Sequence, residues 1–240
     1  MNTEKSFMSI LKSFDQKCRK NKIWYSLSNL TLLSAKTNKT YGCPKIVEVM
    51  MDSKSYNKFS KLYNKNILDS TTRSEFYFSN PFYFENNFEY LIKINLIIKG
   101  SIEKTEKFYS IKNWQRQEIG FFKTAKNKKL NWKHKIQKIY FKFLNLFWSP
   151  LLHTEIESKI YDEKYNGFFI VNSFSKDINK NWIPTLTMEL EEITWNEEKL
   201  LIIKESDLIL NKQYGFDWQT IPEDTKKEEK YINKMSYFLS

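Results

Sequence analysis

Residues 23–59 constrain the fold more than any other stretch, because the hydrophobic period changes repeatedly within them. Ile23 to Leu27 reads as extended chain, and Leu30 to Lys36 as a short apolar helix. After a polar turn, Lys45 to Met50 is an apolar run with one acid, Glu48, which is the mark of a strand. Ser53 to Asn64 then returns to helical spacing, with Tyr56, Phe59, Leu62 and Tyr63 on one side. A later run, Phe88 to Ile98, alternates strictly. Tyr90, Ile92, Ile94, Leu96 and Ile98 share a face and Asn95 points to the other, the side on which Glu48 is expected. Strands interleaved with helices predict an α/β (α+β) chain with a mixed sheet and flanking helices.

The 240 residues suffice for one domain with a sizeable core. Residues 1–22 read as an amphipathic helix, with Phe7, Ile10, Leu11, Phe14 and Cys18 on one face, rather than as a signal peptide. Residues 23–100 form the core, and residues 126–148 a basic amphipathic helix stopped by Pro150. In that helix Trp132, Ile136, Ile139, Tyr140, Phe143 and Phe147 recur at helical spacing, and such a stripe is first of all expected to face a core. Phe108 to Gly120 fits strand or helix equally. Tyr161 to Phe174 reads as turn and strand around Gly167, Trp182 to Trp195 as extended chain, and Ser206 to Gln213 as a helix ended at Gly215.

Several chemistries are excluded by residue type. With five glycines there is no Walker or dinucleotide-type phosphate loop. Two histidines, His134 and His153, argue against a His-based zinc site or a Ser-His-Asp triad. Cys18 and Cys43 lack metal-ligand spacing and read as free thiols of a reducing compartment. No stretch without a charge, Phe143 to Thr154 included, is long enough to span a bilayer, so a cytoplasmic location is expected.

The net charge is +11, and its distribution is uneven. From Ile119 to Thr154 there is no acid and there are eight lysines, which calls for an anionic partner. An anionic membrane surface, at the inner face of the membrane, suits lysines mixed with Trp132, Phe147 and Trp148. Nucleic acid suits them less. Only Arg19, Arg73 and Arg116 are arginine, and no nucleic-acid-binding motif occurs, so no specific nucleic acid is expected.

Two stretches carry a resemblance. Leu30-Thr31-Leu32-Leu33-Ser34-Ala35-Lys36-Thr37, followed by Cys43-Pro44-Lys45-Ile46-Val47-Glu48 and Ser55-Tyr56-Asn57-Lys58-Phe59, is similar to the signature of the LicD family of choline-phosphate transferases and fukutin-related proteins. In the C-terminal region, residues 182–222, Tyr214-Gly215-Phe216-Asp217-Trp218 with Pro222 resembles the segment that closes members of that family. The resemblance spans residues 1–240 and implies a nucleotidyltransferase-type mixed sheet. It also implies Mg²⁺ or Mn²⁺, a CDP-choline-like donor, and a cell-surface glycan or glycolipid acceptor.

Residue by residue, the resemblance implies a metal held by two acids flanking one apolar residue of a strand, with a third acid on a later strand. Those positions are Ile46, Glu48 and Asn95, so one carboxylate stands where three are expected. The first-loop small residues are replaced at Asn29-Leu30 and Ser34, and the arginine by Thr37. Glu48 is then either the surviving metal ligand and catalytic residue or an ordinary solvent-facing strand residue. Asp52 and Glu75 are candidate replacement acids, although Asp52 reads better as a helix N-cap. Asp217 reads as a turn-fixing residue. Three functions stay open: a LicD-like phosphocholine transferase, an inactive relative acting as a binding or scaffold subunit, and a basic membrane-surface or nucleic-acid binder.

Overall fold

The two most apolar runs of the chain form the middle of the sheet. In a computed structural model, which describes residues 3–41, 45–73, 76–77, 79–85, 87–108, 110–124, 132–171 and 178–221, they pair in parallel. The first strand, β1 (Ser26–Leu27), lies antiparallel on the edge of β2 (Ile46–Asp52). Short β3 (Ile67–Leu68) and β4 (Phe82–Glu85) lead to the long β5 (Asn87–Lys99). The order is β1-β2-β5-β4-β3, with β6 (Phe168–Ile170) and β7 (Trp182–Ile183) added beyond Ile97 of β5, giving a mixed sheet of seven strands. A separate hairpin joins β8 (Leu190–Trp195) to β9 (Glu198–Ile203). Its two-residue turn, Asn196-Glu197, has both φ values positive, the mirror-image turn that matches strand twist. The expected α/β class with flanking helices is the one observed.

Helices cover both faces. One face, with Val47, Val49, Ile92, Ile94 and Tyr83, packs on α1 (Thr3–Lys20) and α3 (Ser53–Leu62). Phe14 of α1 meets Phe59 and Tyr83 at ring centroid distances of 5.0 and 5.7 Å. Burying a side chain of this kind contributes about 1.5–3 kcal/mol, which explains why α1 forms despite its lysines. Between β1 and β2 runs α2 (Asn29–Thr37), ended by Asn38 in the left-handed region that asparagine tolerates. Asp52 caps α3, accepting from the Ser55 backbone N–H at 2.7 Å.

The other face begins with Ile46, Phe82, Phe84 and Leu91. They form a second apolar cluster with Ile119, Phe121 and Phe122. Among its described residues the ambiguous stretch at 108–120 is therefore mainly helical. It comprises the end of α4 (Ile102–Phe108) and most of α5 (Ile111–Thr124), because only a helix sets that aromatic row on the strands.

The basic segment departs from expectation. Its described helix, α6 (Trp132–Leu144), is shorter than 126–148, and residues 126–131 lie outside the described residues. Only Phe141 of α6 is buried. Trp132, Ile136, Ile139, Tyr140, Phe143 and Phe147, expected to face a core, are at least half exposed. Hydrophobic period marks a stripe without saying what covers it.

After α6 come α7 (His153–Ile160), the turn into β6, and the one-turn α8 (Ile178–Asn181). The extended stretch expected over 182–195 is divided between the sheet and the hairpin, since Pro184 has no N–H to continue β7. Finally α9 (Ser206–Tyr214) stops at Gly215, whose φ of 96° favours glycine. Among the described residues no helix is long and apolar enough to cross a membrane.

Candidate functional site

In the parallel ladder Glu48 stands opposite Lys93 and Met50 opposite Asn95, so Glu48, Lys93 and Asn95 share one face of the sheet. That face is buried at both ends by apolar side chains, leaving a polar layer between them. Lys93 Nζ donates to Glu48 Oε1 at 3.0 Å, with the two side chains 0% and 3% exposed. Burial pushes the Lys93 ammonium below the ordinary lysine range, and the adjacent Glu48 carboxylate pulls it back up. Desolvating a charge costs several kcal/mol, which only close, hydrogen-bonded pairing repays.

Asn95 continues the layer. Its Oδ1 accepts from Asn80 Nδ2 at 3.1 Å, and its Nδ2 donates to Ser28 Oγ at 3.3 Å. Asn80 also donates to the carbonyls of Ile94 and Val171, at 3.1 and 3.0 Å, tying β5 to the chain leaving β6. The start of α2 clamps onto Glu48. Glu48 N–H donates to Thr31 Oγ1 at 2.8 Å, and its carbonyl accepts from Ser28 N–H at 3.0 Å.

The structure also joins the two motif-bearing stretches. Asn29 opens α2 with a φ of 47°, a left-handed conformation that asparagine supports better than most residues. Its Oδ1 accepts from Gln213 Nε2 of α9 at 2.9 Å. Asn29 Nδ2 and Gln213 Oε1 are buried there without a protein hydrogen-bond partner. Lys36 and Asp207 bridge the same two helices at 2.7 Å.

The remaining candidates scatter. Ile46 belongs to the second apolar cluster. Asp52 is occupied at the α3 N-terminus, where its carboxylate accepts from both the Ser55 N–H and its hydroxyl. At Asp217 it is the backbone carbonyl, accepting from Thr220, that holds the turn. Glu75, Cys43 and Pro222 lie outside the described residues. Glu48 is thus not solvent-facing, and its carboxylate faces a lysine.

A divalent cation fits this donor set poorly. Mg²⁺ and Mn²⁺ take charged or strongly dipolar oxygens. Here the ligand-position carboxylate is bound to an ammonium, and its neighbours on the face are an isoleucine and an amide. No cluster of three or more His, Cys, Asp or Glu able to hold a metal occurs among the described residues. Sequence reasoning singled out Asn95 but passed over Lys93, two residues earlier and therefore on the same face. A lysine inside an otherwise apolar strand was the available signal.

Comparison of the chain with models of known protein families, with curated proteins and with solved structures found no match.

Proposed function

We propose that this chain is a LicD-like protein of nucleotidyltransferase type that no longer carries out metal-dependent phosphoryl transfer and works as a binding or scaffold subunit. One observation carries the reading. The Lys93 ammonium is paired with the one carboxylate that the resemblance assigns to the metal. A fixed internal cation supplies the charge balance that Glu48 needs inside the sheet. It cannot align phosphoryl oxygens by open coordination as a metal does. The protein then retains the scaffold, with the α2 start and α9 held together through Asn29 and Gln213.

The active reading, phosphocholine transfer from a CDP-linked donor to a glycan or glycolipid, is favoured by Glu48 and Asn95 sharing one face beside the α2 start. The two readings separate in one assay. Purified protein is incubated with CDP-choline and Mn²⁺ or Mg²⁺, and CMP release is followed with thermal unfolding in parallel. Release equal to the protein-free rate supports the non-catalytic reading. Metal-dependent release well above the protein-free rate, abolished by chelating the metal, overturns it.

A further inference from the structure

We infer that α6 is a membrane-docking helix that lies flat on an anionic lipid surface, an inference that does not rest on the reading of the Glu48 site. At 3.6 residues per turn, Trp132, Ile136, Ile139, Tyr140 and Phe143 fall within about 100° of arc. This arc points to solvent. Trp132, Ile139 and Phe143 are 67%, 70% and 58% exposed. Phe141 lies on the opposite side of the helix and is 5% exposed. It stacks on Phe122 of α5 at 5.3 Å and meets Trp114 edge-on at 6.2 Å. The helix is therefore fixed to the body by one side and offers its apolar side outward. Leu146 and Phe147, in the turn that follows, extend the exposed surface.

Lysines flank the arc on both sides. Lys133 follows one edge, while Lys135, Lys142 and Lys138 descend from the other at this periodicity. Lys138 and Lys142 also rim a cleft of about 300 Å³ between α5 and α6, floored by Ile119, Phe122 and Phe141. An apolar arc with basic flanks matches the boundary between acyl chains and lipid phosphates, with the lysine stems lying along the apolar surface and their ammonium groups in the headgroups. The helix is about 20 Å long, which suits an in-plane position rather than a span.

Charge selects this occupant. A second copy seated on the same face would bring two lysine rows together, and no acid from Ile119 to Thr154 could answer them. Nucleic acid would meet the lysines but leave the aromatic and aliphatic arc against phosphate and water. An anionic bilayer satisfies both, its phosphates meeting the lysines and its acyl boundary the apolar arc.

The test is co-sedimentation of the full chain with phosphatidylcholine vesicles, with and without phosphatidylglycerol, at physiological salt. Binding at least about tenfold stronger to the anionic vesicles is expected from this many lysines. The double substitution Ile139→Asp/Phe143→Asp should reduce binding by a further factor of about ten or more with the melting temperature unchanged, since both side chains face solvent. Lys135→Gln/Lys142→Gln should remove the preference for anionic vesicles and serves if the first variant is unstable. Equal binding to both vesicle types, or full binding by either double variant, overturns the proposal. A wild-type dimer that Ile139→Asp/Phe143→Asp converts to monomer would overturn it in favour of a second copy.

Discussion

Glu48 and Lys93, forty-five residues apart in the sequence, close on each other at 3.0 Å across the parallel pair at the centre of the sheet. Both side chains are almost fully buried, so their pairing offsets part of the cost of taking each charge out of water. Removing one partner of such a pair strands the second and costs about 3–5 kcal/mol, whereas replacing both by apolar groups is often neutral or stabilising. Glu48→Ala is therefore expected to lose stability of that order in urea unfolding. Glu48→Leu/Lys93→Met should recover most of it. A double variant as unstable as the single one would mean that the pair's other neighbours, and not mutual charge, set its energy.

The same relationship shows where sequence reasoning reached and where it stopped. The strand at 46–52 and the alternation of 88–98 were legible, because period 2 and apolar content are local properties. So was the Asp52 cap, a contact spanning three residues. The Glu48–Lys93 partnership depends on parallel register between strands separated by α3, β3 and β4, which no local pattern encodes. A run such as Ile46 to Met51 that is apolar on both faces does imply burial on both faces, and hence that Glu48 must find a cation. The exposed arc of α6 was illegible for another reason. Period reveals amphipathicity but not which face the body takes, and here a single residue, Phe141, decides it.

Gly120 tests how closely α5 is seated on the chain at Tyr77. A Cβ placed there would stand 2.2 Å from the Tyr77 carbonyl oxygen, a backbone atom that cannot rotate away. Helix propensity alone makes Gly→Ala favourable by about 1 kcal/mol, while overpacking costs about 1–3 kcal/mol. Because the Tyr77 carbonyl cannot rotate away, Gly120→Ala is expected to be destabilising by up to about 2 kcal/mol net in chemical denaturation. A stabilised variant would show that α5 can shift from Tyr77 at little cost.

A second buried cluster makes stability depend on pH. Burial works against the Asp69 carboxylate, but hydrogen bonds from the Tyr56 hydroxyl, from Thr71 and from the Thr72 N–H hold it below the usual range. His153 lies 3.8 Å from that carboxylate, yet burial outweighs the attraction of Asp69 and Glu157 and holds its imidazole below the ordinary value. Both groups have folded pKa values below their unfolded ones, so the folded state binds fewer protons than the unfolded state and stability declines as pH falls. The His153 contribution is present in full above about pH 6.5 and is lost as pH falls through its folded pKa, at up to about 1.4 kcal/mol per pH unit. The Asp69 contribution is present above about pH 3.9 and fades below that. Urea unfolding between pH 7.5 and 5 should show declining stability, and His153→Leu should flatten that decline. An unchanged slope in the variant would place the titrating group elsewhere.

The contact between the two motif-bearing stretches can be weighed directly. Asn29 and Gln213 are 184 residues apart in sequence and bonded at 2.9 Å in a buried position. Asn29 has a second task, since its φ of 47° is tolerated by asparagine or glycine and strained for alanine. Asn29→Gly therefore removes the side chain while keeping the backbone, which alanine would not. In a double-mutant cycle with Gln213→Ala, a coupling of about 0.5–1.5 kcal/mol is expected, the ordinary net value of a hydrogen bond. A coupling near zero would mean that α2 and α9 are held by Lys36–Asp207 and apolar packing instead. Asn29→Ala should then cost more than Asn29→Gly by about the 1–2 kcal/mol of a left-handed β-carbon clash, and equal losses would show that the start of α2 relaxes when its amide is removed.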